Sequence, residues 1–580
     1  MPSANRIVLT VSLLFGIFAS PVLSTVRAAD EITFKPIVTV STGPIDGIFD
    51  AAAKVANIFE ASDQLSLVRD GVAYDGLDLT KPVAFSLLSA GEAEIMPVII
   101  LPIADLEKFQ APLETLMKMG GSPGMKLQKI EKDRFSLQTP AGVYVFLQRK
   151  GWVLGTMESL SDRLPDSPEE LLQGLEKENL FAFRVDFANT DYEELSTLLV
   201  PLQMIAAMNP APGLQQNLDM MDKSLELCCK EFDQVTVAYK LDSKTADFAC
   251  VLDYKLKPGS TTSKQVAAMK DTKTAFGGFF KPEGAIAAMV GTGKFDKEQA
   301  ELGKEQIVPI LEGLVAQLEE NDDERSLALI PAVDILRKLI FSSYDKGETD
   351  CAATMTGNGI FLGASVLGDG KTAEKFIDQL VEPAKNEDAA AVNKYFKRNA
   401  STLEGYAVNT ISAPLKELVE AAGEDVDDLP ETIADKNVTL IFGVKDDACC
   451  FAGGLGTVAE MEKALSAAIA DSKTPKALPT TVAVFSVAQL GKWVKSLDLP
   501  HVAYYDPNVA KYIDAMIAAG DDCLITVDVD YGTDVVSAKL TATGKHFTLI
   551  KKMVDIAQTS RLEDVDFDTP PGKPGLRKVD

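Results

Sequence analysis

The chain has 580 residues, 46% hydrophobic and 24% charged, with 40 Gly and 29 Pro. That composition excludes disordered, fibrous and collagen-like proteins. Its 57 Lys+Arg against 85 Asp+Glu leave a formal charge of −28, a field that speaks against nucleic acid and anionic lipid surfaces as partners.

At the N-terminus, Arg6 precedes an apolar run from Ile7 to Ala19, followed by Pro21 and small residues between Ser24 and Ala29. This order predicts a signal peptide over residues 1–29, because the run falls short of the ~20 residues that span a bilayer. The first cysteine is Cys228, so no lipid anchor is expected at the signal. No later stretch spans a membrane either. The mature chain is therefore expected to be soluble and exported, periplasmic or extracellular.

From about residue 143 onward a pattern recurs: two alternating segments, a tight polar turn, then an amphipathic stretch. It reads VYVFLQ-RKG-WVLGTM before ESLSDRL, and VTVAYKL-DSKT-ADFACVLDYKL before TTSKQVAAM. Further copies run from Cys351 to Val381, Val438 to Ile469 and Cys523 to Val554. Single strands leading into helices precede several of them, at 94–116, 180–199, 284–303 and 480–497. Strict alternation predicts strands with one core-facing side, and tight turns predict antiparallel pairing. The expected fold is α+β, with repeated β-α-β-β-α units forming antiparallel sheets whose helices pack on one face. Thr457 with Glu460 and Thr262 with Gln265 have capping-box spacing, and Ser167-Pro168 suits a helix start. Phe376, Ile377, Leu380 and Val381 predict one apolar stripe.

Polar or proline-bearing stretches suggest domains at 30–165, 166–395 and 396–562, with a disordered tail at 563–580. Boundaries are expected at Leu164 to Glu170 and Glu382 to Asp388, and an internal loop at Glu424 to Pro430.

The segments VIILPIADLEKF, FAFRVDFANTDYEEL and VAVFSVAQLGKWVKSL resemble those of large uncharacterised secreted bacterial proteins. The resemblance extends over most of the mature chain as a pattern. It implies the fold and carries no activity or catalytic residue.

Seven cysteines form no C-x-x-C or zinc spacing; Cys228–Cys229 and Cys449–Cys450 are adjacent pairs, and the alternation around Cys449 and Cys450 is expected to turn one thiol to the core and its neighbour to the other side. Small buried residues are the first reading and one or two distant disulfides the second. Gly120-Gly-Ser-Pro-Gly124 fits G-x-S-x-G, but Pro123 has no N–H to offer an oxyanion, so a turn is expected. Ser365 to Thr372 lacks the first glycine of a phosphate loop, and Gly370 and Thr372 are expected to serve the turn and the helix cap. Asp528 to Asp534 lacks the ligands of a calcium loop, with Lys539 at the twelfth position, and reads as a hairpin turn. The acidic run Asn321 to Glu324 reads as a solvated loop. With only His501 and His546 available, no multi-histidine metal site exists, and no metal or cofactor is expected. His546 is expected on the surface without a role. His501, Tyr504, Tyr505 and Asp506 form the one loop where an imidazole, phenols and a carboxylate crowd together, and they are the candidate ligand-binding loop.

These readings point to an exported, non-enzymatic binding or structural protein. A hydrophobic-ligand carrier and a carboxylate-dependent hydrolase are the alternatives. A protein or a hydrophobic small molecule is the expected kind of partner.

Overall fold

The computed structural model describes residues 35–72, 76–89, 95–110, 127–139, 142–177, 179–200, 203–204, 214–270, 272–320, 324–421, 426, 429–474, 478, 480–498 and 508–563. The chain forms two compact units, Met1–Asp271 with Val527–Thr541, and Thr272–Thr526 with Ala542–Asp580. The expected signal peptide, the G-x-S-x-G segment, the candidate ligand-binding loop and residues 564–580 lie outside the described residues, as do 321–323 and most of 424–428. The boundary expected after residue 165 falls inside the first unit, and the one after 395 inside the second.

The strands of the first unit are β1 (Lys35–Pro44), β2 (Pro82–Ser89), β3 (Ile95–Leu101), β4 (Leu127–Glu131), β5 (Arg134–Thr139), β6 (Gly142–Arg149), β7 (Trp152–Met157), β8 (Phe181–Val185), β9 (Phe232–Leu241) and β10 (Phe248–Leu256). All pair antiparallel in the order β4-β5-β6-β7-β3-β2-β1-β8-β9-β10. Its main helices are α1 (Ile45–Ile58), α2 (Ser62–Val72), α3 (Glu169–Leu172), α4 (Tyr192–Ser196), α5 (Leu214–Glu231) and α6 (Thr261–Met269).

In the second unit the strands are β11 (Ala285–Lys294), β12 (Glu348–Thr356), β13 (Phe361–Val366), β14 (Phe396–Leu403), β15 (Tyr406–Pro414), β16 (Asn437–Lys445), β17 (Ala448–Leu455) and β18 (Thr481–Ser486). They are also all antiparallel, in the order β14-β15-β16-β17-β13-β12-β11-β18. Adding ten to each strand number from β1 to β8 converts the first order into the second. Its helices are α7 (Lys297–Glu320), α8 (Glu324–Asp345), α9 (Gly370–Tyr395), α10 (Leu415–Ala421), α11 (Glu431–Ala434), α12 (Val458–Ser472), α13 (Val487–Ser496), α14 (Val509–Ala518) and α15 (Lys545–Glu563). The last hairpin, β19 (Leu524–Tyr531) and β20 (Val535–Ala542), contributes Val527–Thr541 to the first unit, where β20 pairs with β10.

Of the expected turn at Asp528 to Asp534 only Gly532 to Asp534 turn, since Asp528 to Tyr531 continue β19; the Gly532 N–H donates to Val535 O and the Asp534 carboxylate accepts from Ser263 Oγ. Hairpins followed by helices occur at β9–β10 with α6, β12–β13 with α9 and β16–β17 with α12. The helices do not share a face. α12 packs against Ile441 and Cys450, whereas Ala373 of α9 packs with Val444, whose side chain points to the other side of β16.

Local chemistry sets the helix lengths. Thr457 and Glu460 form the expected capping box, and α12 runs 15 residues. After β7, residues Glu158–Arg163 make a 3-10 turn rather than the expected helix, because Met157 offers no capping oxygen and Pro165 and Pro168 follow closely. α6 is capped by Ser260, not Thr262, and α9 by Asp369, which accepts from the N–H groups of Lys371 and Thr372. Thr372 thus donates to the cap instead of providing it. The stripe expected on α9 is narrower: Ala373 and Ile377 face the sheet, while Leu380 is exposed; α9 breaks at Asp388 (φ −146°, ψ 87°). That break lies at one end of the boundary expected at Glu382 to Asp388.

Among the described residues no helix is long and apolar enough to cross a membrane.

Candidate functional site

Side chains alternate between the two faces of a strand, so register assigns every residue to one face or the other. In the first unit one face is covered by Leu160, Leu164, Leu171 and Leu172, which pack on Ala84, Leu88, Met96, Val98, Ile100, Val145 and Leu154. Farther along the same face, Leu175 packs on Ala182 and Ala238. Two cross-strand rows on this side hold small or polar side chains. One runs Ile100, Ala84, Ser41, Ala182, Ala238, and the next Val98, Ser86, Thr39, Arg184, Thr236, Asp253.

The polar row is bonded within itself. Thr39 Oγ1 and Ser86 Oγ are 3.0 Å apart, Arg184 Nε donates to Thr236 Oγ1 at 3.3 Å, and Ser537 Oγ donates to Asp253 Oδ1 at 2.6 Å. Arg184 Nη1 also reaches Gln173 O and Oε1. At the end of β8, Asp186 is buried and takes a hydrogen bond from Gln234 Nε2 on one oxygen, and its Oδ2 has no partner among the described residues. Burial pushes the Asp186 carboxyl above its ordinary range, against the pull of Gln234, Arg184 and Lys255. Burial likewise lowers Arg184, against the field of Asp186 and Glu176. A guanidinium already engaged by a hydroxyl and a carbonyl, beside an acid bound by an amide, holds elements together; no hydroxyl or thiol here is paired with a base.

The opposite face reads differently. Ile99, Phe85, Val40, Phe183, Val237 and Leu252 form one apolar row across β3, β2, β1, β8, β9 and β10. All six are partly exposed. In the neighbouring row Phe181 is 39% and Tyr239 36% exposed, their rings 6.2 Å apart, with Phe248 a further 6.1 Å from Tyr239. Among the described residues, helices pack at both ends of this face. Phe109 and Leu106 pack over Phe135, Phe146 and Val153, while Leu195, Leu225 and Cys229 pack around Ile37 and Val185.

The alternation therefore runs opposite to the ordinary expectation in β1, β8 and β9. Thr39, Ser41, Ala182, Thr236 and Ala238 are buried, while Val40, Phe181, Phe183, Val237 and Tyr239 are not. The expectation that apolar positions mark the covered face is overturned there. Small side chains let the covering segment approach the sheet closely, and the large apolar ones are left on the open side.

The second unit repeats the division with other residues. α12 and the Phe276, Phe279 and Phe280 rings cover Ala288, Val290, Ala352, Leu362, Ala364, Ile441 and Ala452. The contact is close because Gly278 has no side chain: a Cβ there would lie 2.0 Å from Ala468 O. Its open face carries the row Ile411, Leu440, Gly453, Phe361, Met355, Ala287, Phe485 and the row Phe442, Phe451, Gly363, Ala353, Met289, Ala483. Met289 is 48% and Phe361 44% exposed, and Phe361 stacks near Phe451 at 5.2 Å. Neither unit places a charged residue in these open rows.

All seven cysteines are free, and Cys450 sits in the covered core while Cys449 points to the other side of β17, as alternation predicts. Burial pushes the Cys450 thiol up to about 12. His546 is not the surface residue expected: its Nδ1 lies 3.0 Å from Thr543 O, and its Nε2 is buried with no partner among the described residues. His501, Tyr504, Tyr505 and Asp506 lie outside the described residues, so the structure neither joins nor separates them. Among the described residues no group of three or more His, Cys, Asp or Glu is arranged to hold a metal. The open rows escaped the sequence reading, although their signal was present: each strand alternates, and only the cross-strand register shows that the apolar sides align into one surface.

No family model, curated protein or solved structure matches this chain.

Proposed function

We propose that this chain is an exported, non-enzymatic binding protein that engages an apolar partner through the open faces of its sheets. The observation that supports this most is the inverted alternation of the first unit, which spends threonine, serine and alanine on the covered side and presents phenylalanine, valine and tyrosine on the other. In a chain that is 24% charged, apolar rows without a charge across six strands are what an interface core or an apolar ligand requires. A hydrophobic-ligand carrier is the second reading, favoured by the continuity of the row from Ile99 to Leu252.

Saturable Nile red fluorescence with the purified chain tests both. Phe181→Lys with Tyr239→Lys in the first unit, and Met289→Lys with Phe361→Lys in the second, are each expected to reduce it at least threefold. Unchanged uptake in both double variants overturns the proposal. Mass spectrometry of organic extracts from protein purified without detergent separates the readings, since a stoichiometric lipid supports a carrier and an empty extract supports a protein partner. Robust turnover in a panel of esters, glycosides and peptides, abolished by one carboxylate substitution, would instead establish the hydrolase.

A further inference from the structure

In the second unit a cleft of about 220 Å³ is lined by Asn358, Gly359, Lys436, Trp493 and Ser496 among others. Three pieces of chain build it. The turn between β12 and β13 carries Asn358 and Gly359, the start of β16 follows Lys436, and the last turn of α13 carries Trp493 and Ser496. Gly359 has φ +78°, and a Cβ there would lie 2.0 Å from Trp493 Nε1, so the indole edge and the turn are fitted to each other.

The polar groups of this cleft are biased toward donors. Thr356 Oγ1 donates to Asn358 Oδ1, which occupies the acceptor end of that amide and leaves its NH2. The Ser496 hydroxyl donates to Trp493 O. Among the described residues Lys436 makes no ion pair, and the carboxylate of Glu460, which feels its charge, is taken up by the N–H and hydroxyl of Thr457. No hydrogen bond from the Trp493 indole N–H is formed within the described residues. Among the described residues no carboxylate lines the cleft, although acids outnumber bases by 85 to 57 in the chain.

We infer that this cleft binds a small organic anion, a carboxylate attached to a flat apolar body. The carboxylate pairs with the Lys436 ammonium and the Asn358 amide, and the body lies against the Trp493 indole and the side chains of Val438 and Leu455. The volume is below the ~300 Å³ at which pockets for drug-sized ligands begin, which limits the body to about one ring.

The chain has two tryptophans, and the other, Trp152, is buried in the first unit, so Trp152→Phe leaves Trp493 as the sole indole reporter. Titration with benzoate is expected to give a saturable change in its emission, with benzyl alcohol and acetate each binding at least tenfold more weakly. Lys436→Gln is expected to weaken benzoate at least tenfold. Isothermal titration of the unaltered chain with benzoate provides the same constant if Trp152→Phe does not fold. Absence of saturable binding, equal affinity for benzyl alcohol, or an unchanged constant in Lys436→Gln overturns the inference. The Phe181→Lys, Tyr239→Lys variant of the first unit is expected to leave benzoate binding unchanged and Lys436→Gln to leave first-unit Nile red uptake unchanged, so this result and the Nile red result stand or fall separately.

Discussion

The two units share one strand order and fill it with different side chains. Across β3, β2, β1 and β8 the first unit places Val98, Ser86, Thr39 and Arg184 on its covered side, and across β13, β12, β11 and β18 the second places Leu362, Thr354, Ala288 and Val484. On the open side the first unit carries Ile99, Phe85, Val40 and Phe183 across those strands, and the second carries Phe361, Met355, Ala287 and Phe485 in one row and Gly363, Ala353, Met289 and Ala483 in the next. An order shared by eight strands, with the crossing from β3 to β7 repeated from β13 to β17, is one architecture used twice. The hairpin turns and the alternation hold that order. Which face carries the large apolar groups is free to change, provided each unit pairs small residues with close coverage.

The comparison assigns each unit its own core, and core truncation is the strongest way to break it. Leu154→Ala in the first unit and Leu465→Ala in the second remove side chains that are wholly buried, and each is expected to cost about 2–5 kcal/mol. Hydrogen exchange is expected to lose protection mainly in the unit that carries the substitution. Equal loss in both units from either variant would show a single cooperative core.

The buried polar row makes the first unit sensitive to pH. Because burial raises Asp186 in the folded chain above its ordinary 3.8, the native state holds that proton more tightly than the unfolded one. Its contribution to stability therefore falls as pH rises from the unfolded value through the folded one, and the penalty is complete above that window. Asp186→Asn removes the charge, so its stability relative to the unaltered chain is expected to improve on going from acid to neutral pH. Denaturant melts at stepped pH values measure this, and a difference that shrinks toward neutral pH would mean that Arg184 dominates the site.

Helix capping sharpens the comparison at lower energy. Thr457→Ala is expected to cost about 1 kcal/mol by removing the capping box of α12. At the equivalent place in the first unit, Met157→Thr is expected to change stability by less than about 0.5 kcal/mol, because only a 3-10 turn follows and the third position is Leu160. Thermal melts of the two variants side by side test the pair.

Much of this was legible. The alternation in VTVAYKL and ADFACVLDYKL marks β9 and β10, and the spacing of Thr457 and Glu460 marks α12. What alternation could not reveal is which side is covered. FAFRV reads as phenylalanine inward and arginine outward, yet Ala182 is buried, Arg184 lies on the covered side and Phe181 faces out. Coverage depends on Leu171 to Leu175, a segment whose docking no local pattern encodes. Likewise, β13 meets β17 across about eighty residues of chain, a pairing set by the whole sheet rather than by either strand.

The smallest effect probes the open face chemically and leaves stability nearly untouched. Cys250 pairs with Tyr239 in the partly exposed row of the first unit, whereas Cys450 is fully buried beneath α12 in the second. Reaction requires both access and thiolate, and burial denies Cys450 both by holding its thiol up to about 12. Cys250 is therefore expected to be the first of the seven thiols to react with Ellman's reagent at pH 8, and Cys450 to react only on unfolding. Cys250→Ser is expected to remove the fast phase, and seven equivalents are expected in denaturant because no cysteine is paired. Nile red at saturation is expected to slow the fast phase if it occupies that row. If Cys450 instead reacts as fast as Cys250, the covered side of the second unit is open, and the contrast between covered and open faces fails in the unit where it looks most secure.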